Sequence, residues 1–425
     1  MKVVHLSTSD LGGAGLATGR LHMALLEAGI DSHLLTLYKF TSGMPAYIRY
    51  QSADGASFPL LEKGLDNIRK ALKYSGILPP KHVRIAKHHL RNRPDGFENF
   101  SFSVSPYALQ NHPLLRDADI VHLNWVSEGF LDFNSFFREI KKNVVWTLHD
   151  MNPFTGGCHH ADGCGKFIDN CMPCPQLKNT VDECFAGKML EQKMHSMKGM
   201  DSQEVRIVTP SQWLGSLSQK SKLFNRFKHA VIPNGIDPGN FPLISREDAR
   251  KSLGLPLDKK IVLFISHHID NKRKGLHLLL DAIKDINRSD ILVCSAGNEL
   301  SEGENSGIKH LGYITNSEEM SKIYSAADLF VLPSQAENFP NTICEALFCG
   351  TPVVAFEVGG IPELINPKNG KLAILGESKS LALSINTVLN HPENYNRTTI
   401  REAAVSFMSS PVVAKKYIEI YNQFK

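Results

Sequence analysis

Short apolar strands alternate with helical segments along this chain, and the alternation occurs in two separate series. The first opens at Val3, Val4 and Leu6, a buried strand running into the glycine-rich turn Asp10–Gly15. Leu16, Leu21, Met23, Leu25 and Leu26 then share one broad helical face, Gly29 ends the helix, and Ser32–Leu37 reads as the next strand. Further strands are expected at Ile120–Leu123, Val144–Leu148, Ile207–Val208 and Ala230–Ile232. The second series runs from strand Lys260–Ile265 through helix Leu276–Ile286, strand Ile291–Ser295, helix Ser317–Ala327, strand Leu329–Leu332 and helix Thr342–Phe348 to strand Val353–Phe356. Parallel strands need a crossover, and a helix supplies it, so each series implies a doubly wound parallel sheet. The expected class is α/β, with two Rossmann-like domains facing a central cleft and ligands at the carboxyl ends of the strands.

Length supports two domains, since 425 residues is about three times a typical single domain. The turn Pro233-Asn234-Gly235 is the expected hinge. It divides an N-terminal, acceptor-side domain, 1–235, from a C-terminal domain, 236–408, followed by a terminal helix, 409–425, expected to pack back on the first domain. A hydrophobic content of 42% and a charged content of 21% exclude disorder and coiled coil. No apolar run reaches the roughly 18 residues of a membrane span, and the N-terminus lacks a signal-peptide pattern, so a cytoplasmic location is expected.

The densest motif is Pro333–Glu363, PSQAENFPNTICEALFCGTPVVAFEVGGIPE. Glu337 falls in a loop after a strand, and Glu345 falls one turn into the following helix. A loop entering a helix N-terminus presents backbone N–H groups and a positive dipole end, which suits phosphate, and Asn341, Thr342 and Ile343 would supply the donors. A carboxylate one turn further in suits a ribose diol, and one in the preceding loop suits sugar hydroxyls. Two isolated glutamates would more often be solvated surface residues. The order Glu, seven residues, Glu-Ala, Gly-Thr-Pro-Val-Val, Gly-Gly and Pro-Glu is what resembles a known family, the family 4 retaining glycosyltransferases of GT-B fold. Thr209-Pro210-Ser211, Ile232-Pro233-Asn234-Gly235-Ile236-Asp237 and Tyr324 with Ala326-Ala327-Asp328 extend the resemblance over about 205–365.

That resemblance implies transfer of a sugar from a nucleoside diphosphate sugar, of the UDP or GDP kind, with retention at the anomeric carbon. It places Glu345 on the ribose, Glu337 near the reacting carbon, and Asn338, Phe339, Pro340, Asn341, Thr342 and Ile343 along the donor. It also implies Lys and Arg, instead of a divalent ion, as partners of the leaving diphosphate, so no cofactor is expected for the chemistry. Lys274-Gly275 fits the pattern, but the usual Arg position holds Ser266 or His267. Either Arg273 replaces the missing guanidinium or His267 serves as a weaker partner; Arg273 with Lys274 is the favoured assignment. Gly13, in the first turn, would face the donor phosphate or the acceptor, and His149, just after a strand, would contact the donor sugar or the developing positive charge. Asp117-Ala118-Asp119 matches a metal-binding pattern of another fold and is read as a turn cap. An NAD-dependent oxidoreductase is the distant alternative, because Gly13-Ala14-Gly15 is followed by Gly19, one residue too late for a dinucleotide fingerprint, and the second strand ends without an acid. A non-catalytic sugar-nucleotide binding protein is the other.

Two further features stand apart. Loop 157–175 spaces Cys158, Cys164, Cys171 and Cys174 as a closed zinc site requires, with His159 or His160 as replacements for one thiolate, so a structural zinc is expected. A subset of capsule and exopolysaccharide enzymes of family 4 resembles this loop. Segment 63–93 carries nine Lys or Arg against the single acid Asp66, with apolar residues interleaved, so two short amphipathic helices around Pro79-Pro80 are expected. Such a segment suits an anionic membrane surface or a lipid diphosphate acceptor, without a nucleic-acid motif. Together these expectations describe a hexosyl- or related glycosyltransferase acting on a lipid-linked or saccharide acceptor in bacterial surface-polysaccharide assembly, peripheral on the inner face of the cytoplasmic membrane.

Overall fold

The structure is a computed structural model, and it describes residues 1–51, 81–91, 93–177, 184–269, 271–298 and 307–424. The chain divides into two compact units, Met1–Thr209 with Gly215–Ala230 and Ile420–Lys425, and Pro210–Leu214 with Val231–Glu419.

The first unit is built on a sheet of β1 (Lys2–Ser9), β2 (Asp31–Tyr38), β3 (Tyr47–Arg49), β4 (Ile120–Leu123), β5 (Asn143–Thr147), β6 (Val205–Thr209) and β7 (Lys228–Val231), in the spatial order β3-β2-β1-β4-β5-β6-β7. β1 pairs in parallel with β2 on one side and β4 on the other. The second unit holds β8 (Lys260–Ile265), β9 (Ile291–Ala296), β10 (Ile308–His310), β11 (Leu329–Leu332), β12 (Val353–Phe356) and β13 (Gly370–Ala373), in the order β10-β9-β8-β11-β12-β13. All five pairings there are parallel. In both sheets the strand order reverses once, between β1 and β4 and between β8 and β11. Such a switch point leaves the loops of adjacent strands diverging over the carboxyl edge, where ligands bind in this class of fold.

Burial explains the short, mainly apolar strands. Every residue of β4, β11 and β12 is buried, as expected where helices cover both faces of a parallel sheet. Periodicity located the covering helices Leu276–Ile286, Ser317–Ala326 and Asn341–Phe348, whereas the helices Phe133–Glu139, Phe185–Met197, Ser378–Asn390 and Arg397–Met408 were not assigned from the sequence. The terminal helix is Ser410–Asn422, and beyond Glu419 it packs in the first unit. There the Tyr421 hydroxyl meets His122 Nδ1 at 2.7 Å and Arg206 Nε donates to Gln423 Oε1 at 3.2 Å.

Of the basic segment, 63–80 and 92 lie outside the described residues. The helix Lys81–Leu90 is one of the two expected there, held by His89 stacked on Phe185 with ring centroids 3.7 Å apart. Arg84, Lys87 and Arg91 are exposed, but Arg93 is not part of a basic face. It turns inward, donating to the carbonyl of Glu98 and at 2.6 Å to Gln176 Oε1. Asp119 has a structural role too: its Oδ2 accepts from the Lys2 backbone at 2.7 Å and secures the start of β1. Among the described residues, no helix is long and apolar enough to cross a membrane.

Candidate active site

β8 and β11 are neighbours at the switch point of the second sheet, so the loops that leave them meet. The β11 loop carries Glu337 and the β8 loop carries Arg273 and Lys274. Lys274 Nζ lies 2.5 Å from Glu337 Oε1, and Arg273 Nη1 lies 3.4 Å from the same oxygen. Arg273 is aimed there by its own loop: Asn271 Oδ1 accepts from the Arg273 backbone at 2.9 Å, Nη1 donates to the Ala336 carbonyl at 2.7 Å, and the Gln335 N–H donates to the Arg273 carbonyl at 2.8 Å. The Glu337 side chain is only 12% exposed. Burial alone would raise its pKa, but Lys274 and then Arg273 outweigh that and hold the carboxyl below its ordinary value.

Two glycines let these loops close. Gly275 has φ +78°, and a Cβ there would sit 2.0 Å from the Pro333 carbonyl oxygen. Gly359 has φ +59°, and its Cβ would lie 1.7 Å from the Glu337 carbonyl oxygen. Any side chain at Gly359 would push the Glu337 backbone away from its two cations.

Past Glu337 the chain enters the helix Asn341–Phe348, whose first turn no side chain caps. Asn341 and Thr342 begin it, whereas Ile343, expected as a third donor, instead donates its N–H to the Pro340 carbonyl at 3.1 Å. Phe339 packs in the hydrophobic core, so its side chain anchors the loop. Asn338 Oδ1 accepts from Ser211 Oγ at 2.6 Å, and Asn341 Oδ1 accepts from Asn234 Nδ2 at 2.9 Å. Glu345 is not a solvated helix residue: it is 8% exposed, and its Oε2 accepts from the buried Tyr324 hydroxyl at 3.1 Å. These partners lie far away in sequence, and no local spacing signals them.

His267, the alternative to Arg273, stands apart from this cluster. It is exposed, packed edge-on to Tyr313 at 5.3 Å between ring centroids, and burial with the neighbouring His268 lowers its pKa. A neutral imidazole cannot stand in for a guanidinium. Arg273 and Lys274 are the cations that contact Glu337.

In the first unit, Gly13 lies in the exposed first turn of the helix Gly12–Glu27, at the end of β1. Asp10 pins the neighbouring loop, its Oδ2 accepting from the Thr41 N–H at 2.7 Å and hydroxyl at 2.6 Å. His149 follows β5, its Nε2 3.5 Å from Asn124 Oδ1. Burial pushes its pKa down to about 4, against the pull of Asp150, so His149 is neutral at pH 7. Asp150 is itself committed: Oδ2 accepts from Trp125 Nε1 at 2.8 Å and meets His159 Nδ1 at 2.7 Å. The other ring nitrogen of His159 lies 2.7 Å from Ser101 Oγ, so both nitrogens are engaged and His159 is removed as a metal-ligand candidate.

Comparisons with known proteins agree with this geometry. Residues 245–404, inside the second unit, match the family model for Glycosyl transferases group 1. The putative colanic acid biosynthesis glycosyl transferase WcaC of Escherichia coli K12 is 24% identical over 366 residues, covering 85% of this chain and 84% of that protein. The putative teichuronic acid biosynthesis glycosyltransferase TuaC of Bacillus subtilis 168 is 31% identical over 172 residues, but that match spans only 40% of this chain and 43% of TuaC. Among solved structures, Anabaena Alr3699/HepE in complex with UDP and glucose superimposes with a TM-score of 0.64 at 17% identity, over 99% of both chains. Residues 245–404 thus match the group 1 glycosyl transferase model, the two parallel-sheet units have the GT-B fold, and the chain resembles the family 4 glycosyltransferases of polysaccharide biosynthesis.

Proposed function

We propose that this protein transfers a sugar from a nucleoside diphosphate sugar, with retention, to a lipid-linked or saccharide acceptor in surface-polysaccharide assembly. The observation that carries the reading is the cluster of Glu337, Arg273 and Lys274 at the switch point, beside the uncapped start of the helix Asn341–Phe348. The cations and the helix dipole would hold the diphosphate and take up the charge released as the glycosidic bond breaks. Glu345 would accept from the ribose hydroxyls. Glu337 would hold the sugar next to the oxocarbenium-like centre, and the departing phosphate would take the acceptor's proton. His149, being neutral, would act as a hydrogen-bonding group. No divalent ion enters this scheme, because two side-chain cations already supply the positive charge. The colanic acid enzyme WcaC and the UDP complex of HepE support the substrate classes.

The test is incubation with a panel of UDP- and GDP-sugars, with nucleotide release and the anomeric configuration of the product followed by NMR. At least one donor should be consumed and its configuration retained. A protein whose melting temperature rises with nucleotide, but which consumes no donor with or without lipid extract, would be a binding protein instead.

Exposed Arg84, Lys87 and Arg91 support a peripheral association with the inner face of the cytoplasmic membrane. Replacing all three with Ser should weaken co-sedimentation with vesicles containing anionic lipid by roughly tenfold at low salt. Equal sedimentation of the two proteins would refute this.

A further inference from the structure

Cys158, Cys164, Cys171 and Cys174, spread over the loop, line one cavity of about 20 Å³, with Phe100 and Gln176 among its other walls. All four are free thiols. The fifth cysteine nearby, Cys184, points elsewhere, donating to the Cys171 carbonyl at 3.5 Å, and His160 is not among the walls. A donor to sulfur is already in place: the Gly156 N–H lies 3.3 Å from Cys171 Sγ. Among the described residues no group of three or more His, Cys, Asp or Glu is arranged to hold an ion as it stands.

Two buried or half-buried cations flank the same cavity. Lys193 is 1% exposed, and its Nζ donates to the carbonyls of Asn152 at 2.6 Å and Thr155 at 2.9 Å, next to the cavity-lining Gly156. Arg93 lies over the Phe100 ring at 5.4 Å and donates to Gln176, and both of those residues line the cavity. Burying cations against neutral thiols is unfavourable.

We propose that this cavity binds one zinc ion as a tetrathiolate, with Arg93 and Lys193 as its built-in counter-charges. On binding, four S–H protons leave to water, four Zn–S bonds form, and nothing is oxidised or reduced. The sulfurs draw inward to bond lengths of about 2.3 Å. The resulting centre carries two net negative charges, which the ammonium and the guanidinium match. The site is closed and structural. It ties loop 157–175 to the end of β5, because Asn152 bonds both the Gly157 carbonyl, through Nδ2 at 2.7 Å, and Asp150 Oδ1, through its N–H at 2.8 Å. The His149–Asp150 segment is thereby held by the metal loop.

Metal analysis of full-length protein purified without chelators should find close to one zinc per chain. X-ray absorption should show an all-sulfur first shell. Absence of zinc, a shell containing nitrogen, or intact-mass evidence that the thiols are paired as disulfides would overturn the site. The Cys171→Ser, Cys174→Ser double variant should lose the metal. Should that variant not fold, wild-type protein titrated with a thiol reagent under native conditions must release its zinc with the modification of four thiols. Arg93→Gln and Lys193→Met should each speed zinc transfer to a chelator at least tenfold. Unchanged transfer rates in both would overturn the charge-balancing role.

Discussion

Glu337→Gln should lower sugar transfer on the order of 100-fold, about 2.7 kcal/mol of transition-state stabilisation, and leave the fold intact. Glutamine keeps the volume and one carbonyl oxygen but loses the charge that Lys274 and Arg273 share. Those cations are 24% and 19% exposed, so water still solvates them once the carboxylate is gone. The reciprocal change is harsher on stability. Lys274→Met leaves a buried carboxylate with only the longer Arg273 contact, which should cost about 1–3 kcal/mol after allowing for partial exposure, and should also impair transfer. Combining the two substitutions should restore stability but not activity. Chemical denaturation of the three variants, beside initial rates with the donor found active, checks both arms. Glu337→Gln activity within about threefold of wild type would remove the glutamate from the mechanism.

Acidification should unfold the protein early, beginning near pH 6.5 and well above the carboxylate range. The first unit buries His5, His22 and His122 around β1 and β4, with His5 and His122 rings 4.7 Å apart and His5 and His22 rings 6.1 Å apart. Burial lowers all three, His122 to about 3, and His149 falls to about 4. The unfolded chain therefore takes up protons below about pH 6.5 that the native state refuses, and stability falls as pH falls. His122 alone withdraws about 2 kcal/mol between pH 6.5 and pH 5. Glu337, whose folded pKa is depressed, acts in the same direction at lower pH. His122 has partners on both ring nitrogens, Tyr421 and Thr147, whereas neither nitrogen of His5 has one among the described residues. His5→Leu should thus raise the melting temperature at pH 7 and flatten the acid limb, since an unpaired buried polar group costs roughly 1–3 kcal/mol. Melting temperatures constant from pH 7 to pH 5 would contradict this account.

Strands β8, β11 and β12 and the helix Leu276–Ile286 were legible in the sequence because their burial depends on local apolar runs and periodicity. β3, β10 and β13, three or four residues each, carry too little pattern to be seen. The candidate-site glutamates were legible for a related reason: loop, helix start and both carboxylates lie within one contiguous segment. What pairs with them was not. Lys274 and Glu337 are 63 residues apart, Tyr324 and Glu345 are 21 apart, and Ser211 and Asn338 are 127 apart.

By itself, then, the sequence determined the α/β class, the two parallel-sheet series, the position of the two motif carboxylates and the grouping of the four cysteines, all of which are encoded by neighbours in the chain. Only the tertiary structure shows that Arg273 reaches Glu337, because that contact depends on which loop meets it across the switch point. It also turned Arg93 from a basic surface inward onto Gln176, engaged both nitrogens of His159, and gathered the histidines of the first unit. Burial and partnership between distant residues set the charge and reach of each of these groups, and neither quantity is written in local spacing.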